Sequence, residues 1–213
     1  MNGANHLKKL AAEHPELRRA VSVTEKLVAS ALRLFSNGGT LFVAGNGGSA
    51  ADSDHICGEL LKGFLLKRPL PEAECKKFNN LFGSDGAACA SKLQGGLRAI
   101  SLLSHPALLS AFANDVDADL VYAQQLWALA KEGDIFLGIS TGGGAKNIKN
   151  ALMAARVRGV KSFLLTGNRH GECEKFADEV IAVDESETFR IQEKHIMLYH
   201  AFCMAVEEKM FRS

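Results

Sequence analysis

Apolar residues recur at helical intervals in the first 36 residues and again near the end of the chain. From residue 5 to residue 36, leucine, valine and phenylalanine return every three or four positions, which predicts helix. The His14–Pro15 pair predicts a break or kink there, because proline lacks a backbone N–H. Residues 188–211 have almost no polar interruption, which predicts a long helix buried in the protein or against a partner subunit.

Short β-branched and aromatic runs between these helices predict strands. TLFVAG at 40–45 is followed by a glycine turn and then by the helical pattern SAADSDHICGELLKGF. The same order of strand, turn and helix is predicted for DIFLGIS, TGGGAKN and IKNALMAARVRG, and for KSFLLTG and NRHGECEKFA. LRAISLL and DEVIAVD predict two more strands. Repeated units of this kind predict an α/β fold with a parallel sheet flanked by helices.

The stretch from residue 65 to residue 97 departs from this order. Its prolines and glycines surround two polar pieces, EAECKKFNNLF and GAACASKLQ. We interpret it as an insertion that carries one or two short helices and forms a rim or a subunit contact. The length of 213 residues fits a single domain over 1–213, with 1–36 as its N-terminal helical region.

The composition is that of an ordinary α/β domain and argues against binding to nucleic acid or to an anionic membrane. The chain is 47% hydrophobic and has 25 basic and 24 acidic residues, so its formal charge of +1 provides no long-range attraction to nucleic acid or to an anionic membrane. Five cysteines without a CxxC spacing predict reduced thiols. The sequence shows neither a signal peptide nor an apolar run of about 20 residues, so we expect a soluble cytoplasmic protein.

A glycine-rich turn after the first predicted strand is a candidate ligand loop. GNGGSA at 45–50 formally satisfies the G-x-G-x-x-[GA] fingerprint of dinucleotide-binding proteins. That fingerprint also needs an acidic residue about 20 positions later to hold the ribose, and the chain reads GFLLKRP there. A small polar or anionic ligand, or a tight structural turn, is therefore the better interpretation.

A second turn, ISTGGGAKN at 139–147, offers the hydroxyls of Ser140 and Thr141 before three consecutive glycines. Hydroxyl donors, free backbone amides and a helix N-terminus together suit a phosphate group without many lysines. The alternative is a flexible connection, although three glycines carry an entropy cost that a connector does not need.

Polar residues on two predicted helices form a candidate metal site. His55 and Glu59 are four residues apart and share one helix face, and Gln192, His195 and His200 lie on the final helix. Two histidines, a carboxylate and an amide oxygen suit Zn²⁺ or another divalent ion. Periodicity does not decide which histidine of the final helix faces the site. The alternative is a set of core histidines beside a surface ion pair.

These motifs resemble the phosphoheptose isomerases of the sugar isomerase (SIS) domain superfamily. The resemblance runs from about residue 20 to the end, apart from 65–97, and is carried by GNGGSAADSDHICGELLKGF, the Asn114–Asp115 pair, GDIFLGIST and ETFRIQEKHIMLYHAFCMAVEEKM. It implies a flavodoxin-like, three-layer αβα sandwich with long N- and C-terminal helices. It also implies a homotetramer whose sites lie near subunit boundaries.

The resemblance further implies roles for individual residues. Glu59 serves as the catalytic base and His200 as the acid, which favours His200 over His195. One zinc ion per subunit is held by His55, Glu59, Gln192 and His200. The sugar phosphate is contacted by residues of the two turns and of the helices around them: Asn46, Gly47, Gly48, Ser49, Glu59, Asn114, Asp115, Ser140, Thr141, Gly142, Thr188 and Gln192.

The implied reaction is the aldose–ketose isomerisation of sedoheptulose 7-phosphate to D-glycero-D-manno-heptose 7-phosphate through an enediol. A carboxylate and an imidazole with pKa values near neutrality would transfer the protons, and the metal would stabilise the developing oxyanion. The expected partners are the sugar phosphate and further copies of the chain, with no nucleic acid and no membrane.

Two other functions are alternatives. The phosphate turn reads STSGNS in the family and STGGGA here, so Gly142 and Ala145 lack two hydroxyls, and an isomerase of another phosphosugar is one alternative. The other is a non-catalytic SIS protein that binds a phosphosugar, or a replication initiator as one branch of relatives does. That branch lacks the histidine and the glutamate that this chain keeps as His200 and Glu59.

Overall fold

A computed structural model describes residues 4–212, and its centre is a five-stranded parallel sheet. The strands are β1 (Leu41–Ala44), β2 (Ala99–Ser101), β3 (Ile135–Ile139), β4 (Lys161–Thr166) and β5 (Glu179–Ala182). Their order is β2-β1-β3-β4-β5, the flavodoxin-like order. In register, Leu41 of β1 pairs with Ala99 of β2 and with Ile135 of β3. The predicted parallel sheet is confirmed.

Helices cover both faces of this sheet, and one further helix, Glu72–Ala90, has mostly exposed side chains. They are α1 (Ala4–Glu13), α2 (Arg18–Ser36), α3 (Gly48–Leu61), α4 (Glu72–Ala90), α5 (Pro106–Phe112), α6 (Val121–Leu129), α7 (Lys146–Val157) and α8 (Thr188–Phe211). The break predicted at His14–Pro15 is a 3₁₀ turn over Pro15–Leu17. The long final helix was predicted at 188–211, where α8 lies.

Alternate side chains of each strand point to opposite faces and build two hydrophobic cores. Leu41 and Val43 belong to the core under α1, α2, α3 and α8, whereas Phe42 and Ala44 belong to the core under α6 and α7. Both faces are covered, which explains why β1 and β3 are buried along their whole length. The three-layer αβα sandwich expected from the sequence is confirmed.

Two connections differ in how well they were predicted. Within 65–97, α4 is kinked at Gly83, whose φ of 58° splits it into two helical pieces, as predicted. Whether this stretch is an insertion stays a prediction, and residues 1–3 and 213 of the predicted domain lie outside the described residues. The prediction of a helix after β4 is wrong, since only a 3₁₀ turn over Glu172–Lys175 forms there. His170 has a φ of +50°, which interrupts the helical path.

α3 and α8 pack side by side and run in the same direction. Gly48 at the start of α3 touches Gln192, His55 further along touches Tyr199, and the backbone after α3 is bound by Glu207. Polar residues on both helices can therefore meet at several levels. None of the helices in the described part of the chain is long and apolar enough to cross a membrane.

Candidate active site

The two glycine turns lie at the carboxyl edge of the sheet. Residues 45–48 follow β1 and residues 140–144 follow β3, and these strands are neighbours where the strand order reverses. In open parallel sheets, ligands bind in the crevice at such a point. α8 borders the same place, because the Gln192 side-chain amide lies where a Cβ of Gly48 would collide with it.

The first turn is shaped for close backbone approach. Gly47 has a φ of +56°, a conformation that glycine adopts without strain, and Ser49 is buried in the first turn of α3. The amide of Asn46 is paired with the amide of Asn147, with two hydrogen bonds of 2.9 Å. Asn147 therefore ties this turn to the start of α7. Nothing in the sequence singled out Asn147 beyond its place in the first turn of a predicted helix.

His55, Glu59 and His200 meet where the second half of α3 packs against α8. His55 Nε2 lies 3.3 Å from Glu59 Oε1, and Lys62 Nζ donates to Glu59 Oε2 at 3.1 Å. The His200 ring lies with its centroid 5.0 Å from that of His55 and 5.5 Å from that of Phe64. Three of the four predicted metal ligands, including both predicted acid–base residues, are thus neighbours, although they are not arranged around a common ion position.

A buried carboxylate that the sequence reasoning missed lies beside His55. Asp52 Oδ1 accepts a hydrogen bond of 3.2 Å from the Tyr199 hydroxyl, which also lies 3.0 Å from His55 Nδ1. Burial raises the pKa of Asp52, although the Tyr199 hydrogen bond and His55 oppose this, and burial together with Asp52 raises the pKa of Tyr199. Asp52 precedes His55 by three residues, so helical spacing was the signal that could have found it.

The Asp52–Tyr199–His55 chain constrains where protons sit. A tyrosine hydroxyl carries one proton. When that proton goes to Asp52, His55 Nδ1–H must donate to the hydroxyl oxygen, and Nε2 then presents a lone pair to the Glu59 carboxylate. Two lone pairs at 3.3 Å repel each other unless a proton or a cation lies between them. This arrangement suits a cation-binding or proton-transferring pair.

The structure separates the two histidines that periodicity left open. His195 is fully buried with Nε2 3.3 Å from the Thr166 carbonyl oxygen, and burial lowers its pKa to about 4 despite that hydrogen bond. His195 is therefore a neutral core residue. Burial and the neighbouring His55 also lower the pKa of His200, while Glu59 opposes the shift. His200 is the histidine of α8 that faces the candidate site.

The donor set suits a divalent ion only in part. His200 Nε2 and Asp52 Oδ2 are buried without a hydrogen-bond partner among the described residues, as expected where an ion or a water completes a site. In the same part of the chain, no three His, Cys, Asp or Glu side chains are arranged to hold a metal. Gln192 lies against Gly48, eight residues or about 12 Å of helix from His200. Within residues 4–212 the predicted ligands are therefore not arranged as a complete metal site, and zinc stays a prediction.

The second turn lies between the starts of α7 and α8. Ser140 Oγ accepts from the Ala145 amide at 3.4 Å, and the Thr141 carbonyl accepts from the Gly167 amide at 3.0 Å. Gly167 in turn packs against Ile191 of α8. Thr188 is the exposed first residue of α8. These bonds hold the turn at the start of α7, and a helix N-terminus can bind an anion.

Asn114 and Asp115 lie on a π-helical turn, Ala113–Asp117, directly after α5. Both are exposed, and Asn114 Nδ2 donates to Asp115 Oδ1 at 2.8 Å. Within the described residues, neither contacts Glu59 or His200. Their predicted contact with the sugar stays a prediction.

A buried ion pair supports the backbone that carries Glu59. Arg68 Nε donates to Glu207 Oε1 at 2.8 Å, and its Nη2 donates to the Glu59 carbonyl at 3.2 Å. Burial alone would raise the pKa of Glu207, but hydrogen bonds from the Phe64 and Leu65 amides and from Arg68 outweigh it and lower the pKa. The loop after α3 is thereby fixed to α8.

Comparison with known proteins agrees with this picture. The SIS domain family model matches residues 107–207. The phosphoheptose isomerase of Aneurinibacillus thermoaerophilus is 35% identical over 189 residues, 89% of this chain and 82% of that protein. The phosphoheptose isomerase of Geobacter sulfurreducens is 34% identical over 95% of this chain and 92% of its own. The structure of the Neisseria gonorrhoeae phosphoheptose isomerase superposes with a TM-score of 0.69 at 29% identity, over 93% of this chain and 98% of that one.

Proposed function

Since the chain belongs to the phosphoheptose isomerase family, we propose that this sugar-phosphate isomerase converts sedoheptulose 7-phosphate to D-glycero-D-manno-heptose 7-phosphate. The observation that carries the proposal is the meeting of Glu59 and His200 beside His55. A carboxylate and an imidazole at one place are the groups that an enediol mechanism needs. The non-catalytic alternative is disfavoured, because a protein that only binds does not need both.

In the proposed mechanism, Glu59 removes a proton from C1 of the ketose while His200 delivers one to the carbonyl oxygen at C2. The resulting enediol then loses the proton on O1 to His200 and gains at C2 the proton that Glu59 had taken, which gives the aldose and restores both residues. Because its pKa is lowered, His200 acts as a neutral imidazole that donates through its N–H. A neutral imidazole can polarise a carbonyl in this way.

We propose that Zn²⁺ is held at this site by His55, Glu59, His200 and Gln192, and that it stabilises negative charge on the reacting oxygens. The unpartnered His200 Nε2 supports this. Since Gln192 lies away from the other three within one chain, we propose that it reaches the ion of a neighbouring copy in a homotetramer. The phosphate is proposed to bind at Ser140, Thr141, Gly142 and Thr188, and the sugar at the remaining predicted contacts.

The test is isomerisation of sedoheptulose 7-phosphate, with the product identified by NMR. We expect turnover by the zinc-loaded wild type and a loss of at least about 100-fold in Glu59→Gln and in His200→Ala. His14→Ala is the matched control, because His14 is a half-exposed histidine paired with Glu16 away from the site, and it should retain activity.

A second readout addresses the metal. Zinc added to metal-free protein should raise the melting temperature of the wild type but not of His200→Ala, because only a folded site binds the ion. A wild type that binds the sugar phosphate without converting it would refute the heptose reaction. Equal activity in Glu59→Gln and the wild type would refute the assigned base.

A further inference from the structure

The turn after β4, residues 167–171, is fixed against the glycine turn after β3. The Gly167 amide donates to the Thr141 carbonyl at 3.0 Å. Gly171 packs on Gly143 so closely that no Cβ would fit at Gly171. Between these contacts His170 adopts a φ of +50°, which is uncommon outside glycine. Backbone contacts at both ends therefore fix how this turn presents its side chains.

Arg169 projects from this turn over Gly142. Its Nη1 and Cδ atoms each lie 4.0 Å from the position that a Cβ of Gly142 would occupy. Its Nη2 donates to the Ser186 carbonyl at 2.6 Å, which holds the guanidinium in place. Nη1 and Nε have no hydrogen-bond partner among the described residues. Because Gly142 has no side chain, the guanidinium borders the open backbone of the glycine turn.

The charge of Arg169 distinguishes it from three cations at the starts of α7 and α8. Each of those three is paired with a carboxylate: Lys146 with Asp119, Lys149 with Glu172 and Arg190 with Glu187. Within residues 4–212, no carboxylate pairs with Arg169, whose partner is a neutral carbonyl. An unneutralised guanidinium beside the open backbone of a glycine turn is a strong attractor for a dianion.

We infer that Arg169 binds the phosphate of the substrate at the glycine turn and selects phosphorylated over neutral sugars. The inference rests on the proposed function, since it assigns the phosphate to residues 140–144. In this chain one guanidinium supplies the contacts that Gly142 and Ala145, which have no hydroxyls, do not make. Sequence could not reveal it, because Arg169 lies 27 positions after Gly142.

The test is calorimetric titration of metal-loaded protein with inorganic phosphate and with sedoheptulose 7-phosphate. Arg169→Ala should bind both about 10- to 100-fold more weakly, Arg169→Lys should be intermediate, and the loss for the sugar phosphate should appear in KM rather than in kcat. Affinity for unphosphorylated sedoheptulose should not change. Arg156→Ala is the matched control, because Arg156 also donates to a backbone carbonyl, that of Phe176, but lies near the far end of α7.

The outcomes separate this inference from the proposed reaction. Unchanged phosphate affinity in Arg169→Ala, or an equal loss for unphosphorylated sedoheptulose, would overturn the role of Arg169 while leaving the isomerisation intact. A wild type that binds sedoheptulose 7-phosphate without isomerising it would refute the reaction. The role of Arg169 would then still be tested by the ratio of the phosphate affinities of the wild type and Arg169→Ala. A wild type that binds neither phosphate compound would overturn the inference.

Discussion

At the scale of single residues, the Tyr199 hydroxyl has the most consequential position, because it joins α8 to both Asp52 and His55 on α3. Tyr199→Phe leaves the buried Asp52 carboxylate without a partner on either oxygen, since Oδ2 already has none among the described residues. We expect the free energy of unfolding to fall by about 2 kcal/mol. Urea denaturation at pH 7 measures it.

Tyr122→Phe is the matched control for that change. The Tyr122 hydroxyl donates to the Gly45 carbonyl at 2.8 Å, which is a neutral hydrogen bond, so its loss should cost about 1 kcal/mol. The combined Tyr199→Phe and Asp52→Asn protein should recover part of the stability, because it removes the unpaired charge. Equal costs for the two Tyr→Phe changes would contradict the importance of the Asp52 contact.

The buried His195 predicts a loss of stability in mild acid. Its pKa is about 4 in the folded protein and about 6.5 when unfolded, so the unfolded chain binds a proton first as the pH falls. The contribution of the neutral histidine is complete above pH 6.5 and is lost between pH 6.5 and 4, by about 3 kcal/mol in all. His195→Leu cannot titrate, so its stability should approach that of the wild type as the pH falls. A constant difference from pH 7 to pH 4.5 would contradict the shifted pKa.

Site residues were predictable only as far as local pattern or family resemblance reached. Helical spacing placed His55 and Glu59 on one face, and the structure brings His200 to them, although periodicity alone could not choose it over His195. Tyr199 and Asp52 are 147 residues apart, and no local pattern encodes their contact. Arg169 was missed for the same reason, since its position depends on how two turns pack.

At the scale of elements, the buried ion pair of Arg68 and Glu207 joins the loop after α3 to α8. Both side chains are almost fully buried, so Arg68→Met leaves Glu207 as an unpaired buried charge and should reduce the free energy of unfolding by about 3 to 5 kcal/mol. Arg190→Met removes an exposed pair with Glu187 and should cost at most about 1 kcal/mol. Urea denaturation measures both losses of unfolding free energy. Similar losses for the two variants would contradict the role of the Arg68–Glu207 pair in holding the loop.

Elements were predictable where one signal dominated. The continuous apolar pattern of α8 and the proline after His14 each have one structural solution, and both predictions were confirmed. The segment after β4 resembled a helix by composition, yet contacts between Gly171 and Gly143 fix the backbone in another conformation. Tertiary packing of two glycines, which no single-segment pattern contains, decided the outcome.

At the scale of the whole molecule, the position of Gln192 predicts that active sites are shared between chains. Gln192→Ala and His200→Ala should each be inactive if both residues serve the metal. If they serve the same chain's site, subunits of the two variants mixed in one tetramer stay inactive, because each site keeps one defect. If Gln192 serves a neighbour, some mixed sites receive both native residues, and random mixing restores about a quarter of the activity.

The mixing experiment requires a tetramer, which light scattering can establish, since the assembly should have four times the 22.9 kDa mass of the chain. His200→Ala mixed with Glu59→Gln is the matched control, because those residues meet within one chain, and every mixed site that uses both from one subunit remains defective. If activity recovers only in the mixture that contains Gln192→Ala, the Gln192 side chain serves the metal site of a neighbouring subunit. Failure of both mixtures in a verified tetramer would instead leave Gln192 with its own chain, against Gly48, as a residue that shapes the sugar crevice.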